Sequence, residues 1–272
     1  MDQKRPLVLI RGGGDLASGV ALRLHRSGFG VLITEVEQPL AVRRAVAFAE
    51  AIYTGEMQIE EVTGRRVQDI KETASAVRER VIPVIIDPQA QIREELKPAA
   101  IIDARMRKSA PELAIAADEV VIGLGPGFTA GLDCHAVIET NRGHAMGRVI
   151  WDGSAQKNTG VPEAVQGYDV DRVLRAPAHG VLTEGLDIGT VVEEGDVLAR
   201  VGDHPVQATF NGVLRGMVHD GLEVNEGMKI GDLDPRGIVE HCFTVSDKAL
   251  AIGGGVLEAL LSFDAIRNAL GN

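Results

Sequence analysis

Short apolar runs and helically spaced apolar positions alternate along the first 150 residues. "LVLI" (7–10) runs into Arg11 and three glycines, and "GVALRLHRSGF" then places Val20, Leu22, Leu24 and Phe29 where a helix ending at Gly28 would pack them on a sheet. "VLITEVE" (31–37) reads as the second strand, and "LAVRRAVAFAEAI" (40–52) as a helix with its arginines on one face. "MQIEEVTGRRV" (57–67) alternates and contains Thr63-Gly64, so it predicts a hairpin excursion. A polar helix over 69–80 precedes strands at 81–87, 99–103, 119–124, 135–140 and 147–151, the last two paired as an antiparallel edge hairpin. Nearly continuous apolar strands alternating with helices predict an α/β fold with a parallel, doubly wound sheet.

The pattern changes over 153–171, a stretch rich in turn formers that reads as a linker. Beyond it lies an internal repeat: "GVLTEGLDIGTVVEEG" (180–195) and "GVLRGMVHDGLEVNEG" (212–227) share seven of sixteen positions at an offset of 32. Gly180, Gly189 and Gly195 match Gly212, Gly221 and Gly227. Two copies of one short-stranded unit, each too small to bury its own face, must complete each other. In "SDKALAIGGGVLEALLSFDAIRNALGN", Ser246 is placed to cap a helix. Apolar positions run from Leu257 through Leu260, Leu261 and Phe263 to Leu270, and the Gly253–Gly255 triplet predicts a break into two helices. The expected division is therefore 1–167, 172–235 and a C-terminal segment 236–272 packing back on the first domain.

Composition narrows the partners. A formal net charge of −11 and 3% aromatic residues oppose a nucleic-acid footprint. No apolar run reaches the roughly 18–20 residues of a membrane span. "MDQKRP" reaches the first strand by residue 7, leaving no room for a signal peptide, and only two cysteines are present, outside any CxxC. The expectation is a cytoplasmic chain without membrane or nucleic-acid partners, with room left for a homo-oligomer.

"RGGGDLA" fits G-x-G-x-x-A with Gly12, Gly14 and Ala17, between a strand and a helix. Gly12, Gly13 and Gly14 would let backbone N–H groups approach phosphate at the positive helix end, and Glu35, 23 residues after Gly12, stands where a ribose-binding acid is expected. Asp15 would cap the helix, yet its charge would repel a pyrophosphate and suits a hydroxyl, an ammonium or a metal. A second loop, "GLGPGFTAG" (123–131), with Gly125 and Gly127, follows another strand. Asp87 and Asp103 also end strands, and Asp103 precedes Arg105, Arg107 and Lys108, a basic cluster that is either a solvated loop or an anion site. Arg142 and His144 share a turn that either clamps phosphate and moves a proton or is a hydrogen-bonded turn. Cys134-His135 and His241-Cys242 fit no zinc spacing, so no metal site is expected; both thiols read as buried, with Cys134 the one to test for reactivity. No Ser-His-Asp order, HExxH or P-loop lysine is present.

The paired repeats resemble the barrel-sandwich hybrid of biotinyl and lipoyl carriers. Those carriers present a modified lysine between their half-repeats, whereas "VGDHPVQATFN" here has none, nor does any position between Lys157 and Lys229, which points to a docking or structural element instead. Across nearly the whole chain, "IRGGGDLASGVALRLHRSGF", "TEVEQPLAVRRAVAFAEAIYTGE", "IGLGPGFTAGLDCHAVIETNRGH" and "SDKALAIGGGVLEAL" resemble the YqeB-type accessory proteins of selenium-dependent molybdenum hydroxylases. That family looks related, in its Rossmann-like domain, to XdhC/CoxI-type molybdenum-cofactor factors. The resemblance implies maturation of a molybdenum hydroxylase client and a phosphate-bearing ligand such as molybdopterin or its dinucleotide form. The rival readings are an NAD(P)-dependent oxidoreductase and a scaffold with a vestigial nucleotide site.

Overall fold

The computed structural model describes residues 5–106, 119–157 and 170–271. It is a mixed α/β chain with one large sheet, three small sheets and C-terminal helices, and its contacts divide it into two compact units. The first unit comprises Met1–Glu37, Phe48–Asn158 and Val245–Asn272; the second comprises Gln38–Ala47 and Thr159–Thr244. The division differs from the sequence expectation in giving 38–47 and 236–244 to the repeat-bearing unit.

The first unit runs β1 (Leu7–Arg11), α1 (Asp15–Arg26), β2 (Gly30–Glu35), α2 (Ala51–Thr54), β3 (Glu56–Ile59), β4 (Val62–Val67), α3 (Ile70–Arg78) and β5 (Ile82–Ile86). It continues with α4 (Arg93–Leu96), β6 (Ala100–Asp103), β7 (Val120–Leu124), β8 (Thr129–Ala130), β9 (Ala136–Ile138), β10 (Val149–Ile150) and β11 (Gly153–Ser154). α5 (Asp247–Leu261) and α6 (Asp264–Gly271) complete it. The large sheet has the order β10-β9-β7-β6-β1-β2-β5-β4-β3, parallel from β9 to β4 and antiparallel at both edges. Strands β1 and β2 are adjacent, but β6 lies on the opposite side of β1, so the direction of winding reverses between β1 and β6.

The strand period of two sorts the core into two faces. Leu9, Leu32, Ile85 and Ile101 pack with Ala76 of α3 on one. Ile138 of β9 lies on the other, against Gly255 of α5, and α1 packs on α5 there. Strands buried on both faces read as continuous apolar runs, which is why the sequence pattern found them.

Three expectations are corrected. The helix over 40–52 is replaced by short 3-10 turns and the four-residue α2, because Arg43 and Arg44 turn to backbone carbonyls. Arg43 donates to His241 O and Thr244 O at 3.1 and 3.3 Å, and Arg44 Nε to Met217 O at 3.1 Å. The hairpin over 57–67 forms, but it turns at Glu60-Glu61, and Gly64 lies within β4 where Phe48 covers it. The glycine triplet does not break α5, which starts at Ser246 as its sequence suggests (Oγ accepts from Ala249 N at 3.2 Å) and runs unbroken to Leu261. A side-chain carbon at Gly253 would sit 2.8 Å from Gly19 O, and one at Gly255 would overlap Gly147 O. The missing side chains let this helix approach its neighbours, and that packing offsets the low helix propensity.

Among the described residues no single helix is long and apolar enough to cross a membrane. The pair α5 and α6 passes such a test jointly, but it is bent by 95° and α5 buries Ala249, Ile252, Val256, Ala259 and Leu260 inside its unit.

In the second unit, β12 (Val173–Arg175), β13 (Gly180–Thr183), β14 (Val191–Val192), β15 (Val197–Val201), β16 (His204–Gln207), β17 (Gly212–Met217), β18 (Glu223–Val224) and β19 (Lys229–Asp234) form two four-stranded sheets. Their orders are β12-β19-β17-β14 and β16-β15-β13-β18. The repeats exchange partners: β13 pairs with β18 and β14 with β17, so the first strand of each copy pairs with the second strand of the other. Leu182, Leu198, Val213, Leu214 and Leu233 of these sheets are fully buried. Most of 153–171 (158–169) lies outside the described residues.

The glycines of α5 give a paired test by chemical denaturation. Gly254→Ala, with open space around it, should stabilise by about 0.5–1 kcal/mol. Gly255→Ala should destabilise by roughly 1–3 kcal/mol or more.

Candidate functional site

Parallel α/β sheets bind ligands beyond the carboxyl ends of their strands, where the winding reverses. Here that place is the end of β1 and β6, and the glycine turn occupies it. Gly12 has φ +91, a conformation that suits glycine, and its N–H donates to Thr34 O at 2.8 Å. Gly13 is buried: a side-chain carbon there would lie 2.9 Å from Ala49 N. The Gly13 carbonyl accepts from Ala49 N at 2.9 Å and from Ser18 Oγ at 3.2 Å, and Ser18 Oγ in turn accepts from Phe48 N at 2.8 Å. Gly14, not Asp15, is the N-cap of α1, and Asp15 is the first helical residue, so the capping role expected of Asp15 is corrected. As an acid in the first turn it favours the helix electrostatically.

Glu35 ends β2 and turns back onto the loop. Its Oε2 accepts from Gly13 N at 2.6 Å and its Oε1 from Val36 N at 2.8 Å. The acid expected to meet a ribose thus holds a backbone donor expected to meet phosphate.

Arg105, after β6, lies beside Gly12: its Cγ is 3.4 Å from where a Gly12 side chain would start. Its guanidinium forms a fork on Asp103, with Nε at 2.9 Å from Oδ1 and the second nitrogen at 2.5 Å from Oδ2. Asp103 is 2% exposed and also faces the buried Arg11 at 3.6 Å; Arg11 in turn donates to Pro88 O at 3.1 Å. A buried carboxylate between two guanidiniums fixes the position of both. Arg107 and Lys108 lie outside the described residues.

The loop of Gly125 and Gly127 follows β7 and reaches the same sheet edge, where a side chain at Gly125 would strike Thr140 Oγ1 at 2.5 Å. Arg142 and His144 follow β9. Arg142 makes a two-pronged pair with Asp247 at 2.7 and 2.8 Å, fastening the turn to the start of α5, and the exposed His144 meets Arg148 at 3.3 Å. Asp87 accepts from Ile92 N at 2.9 Å and its own N–H donates to Glu35 O at 3.0 Å. A cleft of about 800 Å³ opens at the ends of β4 and β5, lined among others by Lys71, Ile86, Asp87, Gln91 and Glu95.

Cys134 sits apart, fully buried among Val121, Phe128, Ala130 and Val137. Burial pushes its thiol up to about 11, so it is protonated at neutral pH and is not a poised nucleophile. Burial also raises the Cys242 thiol. Among the described residues no group of three or more His, Cys, Asp and Glu side chains could hold a metal.

Sequence reasoning passed over Arg11, Ser18 and Glu139. Arg11 was visible as a charge ending an apolar strand run. Glu139 is 2% exposed and pins the turn after β9 by accepting from Asn141 N at 2.7 Å and Gln156 N at 2.8 Å; like Asp87 it is an acid directly after a strand.

The chain is 52% identical over 257 residues to the uncharacterized protein YqeB of Escherichia coli strain K12, covering 94% of the chain and 47% of that protein. It is a sequence relative of part of YqeB. The chain spans about half the length of this curated relative. No family model matches. Among solved structures, the chain is similar at 13% identity and a TM-score of 0.24 to the product-bound ectoine utilization protein EutE (DoeB) of Ruegeria pomeroyi, over 83% of this chain and 56% of that one. An aspartoacylase family protein of Mesorhizobium loti shows 10% identity and a TM-score of 0.25, over 84% of both chains.

The buried thiols give a direct check. With a thiol reagent at pH 7–8, both cysteines should react slowly in the native protein and rapidly after denaturation. Cys134 should stay slow until the pH nears 11 or the fold opens. Fast native labelling of Cys134 at neutral pH would show a different environment from the one described.

Proposed function

We propose that this chain is a cytoplasmic accessory factor in the maturation of a selenium-dependent molybdenum hydroxylase, and that it binds a phosphate-bearing cofactor of the molybdopterin type. The observation that carries the binding reading is the Gly12–Gly14 turn, placed after β1 and before α1 at the reversal of winding, with Arg105 beside it. The order β5-β2-β1-β6-β7-β9 supports reading the large sheet as Rossmann-like and doubly wound. The positive end of α1 supplies an anion-favouring field, Arg105 supplies a guanidinium, and the cleft beyond Glu35 supplies room for a ring system. The client pathway rests on the sequence likeness to YqeB-type proteins.

The second unit is read as a barrel-sandwich hybrid, on the exchange of partners between its repeats. Lacking a carrier lysine, it serves docking of the client, and Val181, Val191 and Val197 give it exposed apolar positions on three strands. A second reading, NAD(P) binding, is favoured by one observation: Glu35 ends β2, where an acid meets a ribose hydroxyl in dinucleotide sites.

Calorimetric titration of the purified protein with molybdenum cofactor, its dinucleotide forms and NAD(P) separates these readings. The expected result is binding of a pterin form, weakened about tenfold or more in Gly14→Asp. That position is open and has ordinary φ, so the variant should fold while its carboxylate competes for the helix terminus, at about 1.4 kcal/mol per tenfold. Indifference to every pterin form would sink the cofactor reading, and NAD(P) binding in its place would favour the oxidoreductase.

A further inference from the structure

The donor that the glycine turn would offer to phosphate is already taken by the chain itself. Gly13 N–H meets Glu35 Oε2 at 2.6 Å, and the other oxygen of the same carboxylate accepts from Val36 N at 2.8 Å. Gly12 N–H is spent on Thr34 O within the sheet edge. A carboxylate bonded to a backbone donor next to a helix N-terminus is the chemistry that a phosphate oxygen would reproduce there.

We propose that Glu35 is an internal latch that selects the ligand: its carboxylate holds the position at Gly13 that a ligand anion would take, and only a ligand that re-employs this carboxylate displaces it cheaply. This rests on the phosphate-binding reading of the same loop. An anion without hydrogen-bond donors must expel the carboxylate from Gly13 and then lie beside it, a like-charge contact. A phosphate ester with a hydroxyl or ring N–H next to its phosphate offers Glu35 a new donor as it takes the old one. The site therefore selects phosphorylated molecules that carry donors, such as nucleoside or pterin phosphates, over the fully ionised pyrophosphate ion, which has none.

The latch has a rigid frame, which makes exchange at Gly13 a discrete event. Gly13 cannot retreat, because Ala49 lies against its Cα and holds its carbonyl. Glu35 is the movable partner: its backbone is fixed in register opposite Ile86, while the side chain is half-buried and reaches Gly13 across the turn.

The test compares inorganic pyrophosphate with adenosine diphosphate on wild type, Glu35→Gln and Glu35→Ala, by calorimetry at an alkaline pH where pyrophosphate is fully ionised and carries no donor. Replacing a charge-assisted bond by a neutral one, or by none, should tighten pyrophosphate binding by about fivefold or more. The same changes should tighten adenosine diphosphate less, or weaken it, so the preference for the donor-bearing ligand falls. A second readout in the wild type uses the backbone amide signals. Because one carboxylate serves both groups, pyrophosphate should shift the Gly13 and Val36 amides together. Equal pyrophosphate affinity in all three proteins, or a Gly13 shift with Val36 unmoved, overturns the latch and leaves the phosphate reading standing. Absence of binding by either ligand to any of the three removes the phosphate reading and the latch with it.

Discussion

The carboxyl edge of the large sheet is organised around the backbone of a single residue, Gly13. Its N–H is held by Glu35 and its carbonyl by Ala49 N and Ser18 Oγ, while Ile33 and Ala49 leave no room for a side chain. The chain departs from the first unit just after Glu35 and returns at Phe48 and Ala49, and both ends of that excursion are fastened to this turn. A buried turn must satisfy its polar groups, and here side chains and distant backbone do so. The consequence is a loop set in one conformation before any ligand arrives, which lowers the ordering cost of binding.

Charge is handled by a common device in both units: an acid buried between guanidiniums. At the sheet edge Asp103 stands between Arg11 and Arg105. In the repeat-bearing unit Asp234 is fully buried; burial alone would raise its carboxyl, but the fork from Arg236 outweighs this and holds it down at about 2. Arg215 faces both Asp232 and Asp234, and Arg172 also reaches Asp232. Arg215 is the extra residue of a bulge between Leu214 and Gly216, which re-aims its side chain relative to the strand. Removing one partner from such a network would strand a buried charge, so these groups fix a single arrangement.

The positions of the strands, the glycine turn between strand and helix, and the repeat at 180–227 were legible because each follows from local spacing. Periodicity marks a buried strand, and a fixed offset marks a duplicated unit. The failures share a cause of the opposite kind. Residues 40–52 have helical spacing, but Arg43 and Arg44 gain more from carbonyls some 170–200 positions away than from lining a helix. Gly253–Gly255 looks like a break until the close approach to Gly19 and Gly147 is known. At the site, spacing placed Glu35 at the end of β2 but could not show its carboxylate returning to Gly13. Nor could it show Arg105 committed to Asp103, a pairing that depends on the turn after β6.

The proposal that joins these observations is a phosphate-bearing molecule at the Gly13 turn. Mass spectrometry of small molecules that co-purify with the native protein and with Gly14→Asp tests it most directly. The expected result is a phosphate-bearing pterin or nucleotide in the native protein that is lost from the variant. A co-purified species without phosphate, or the same species retained equally by both proteins, would contradict it.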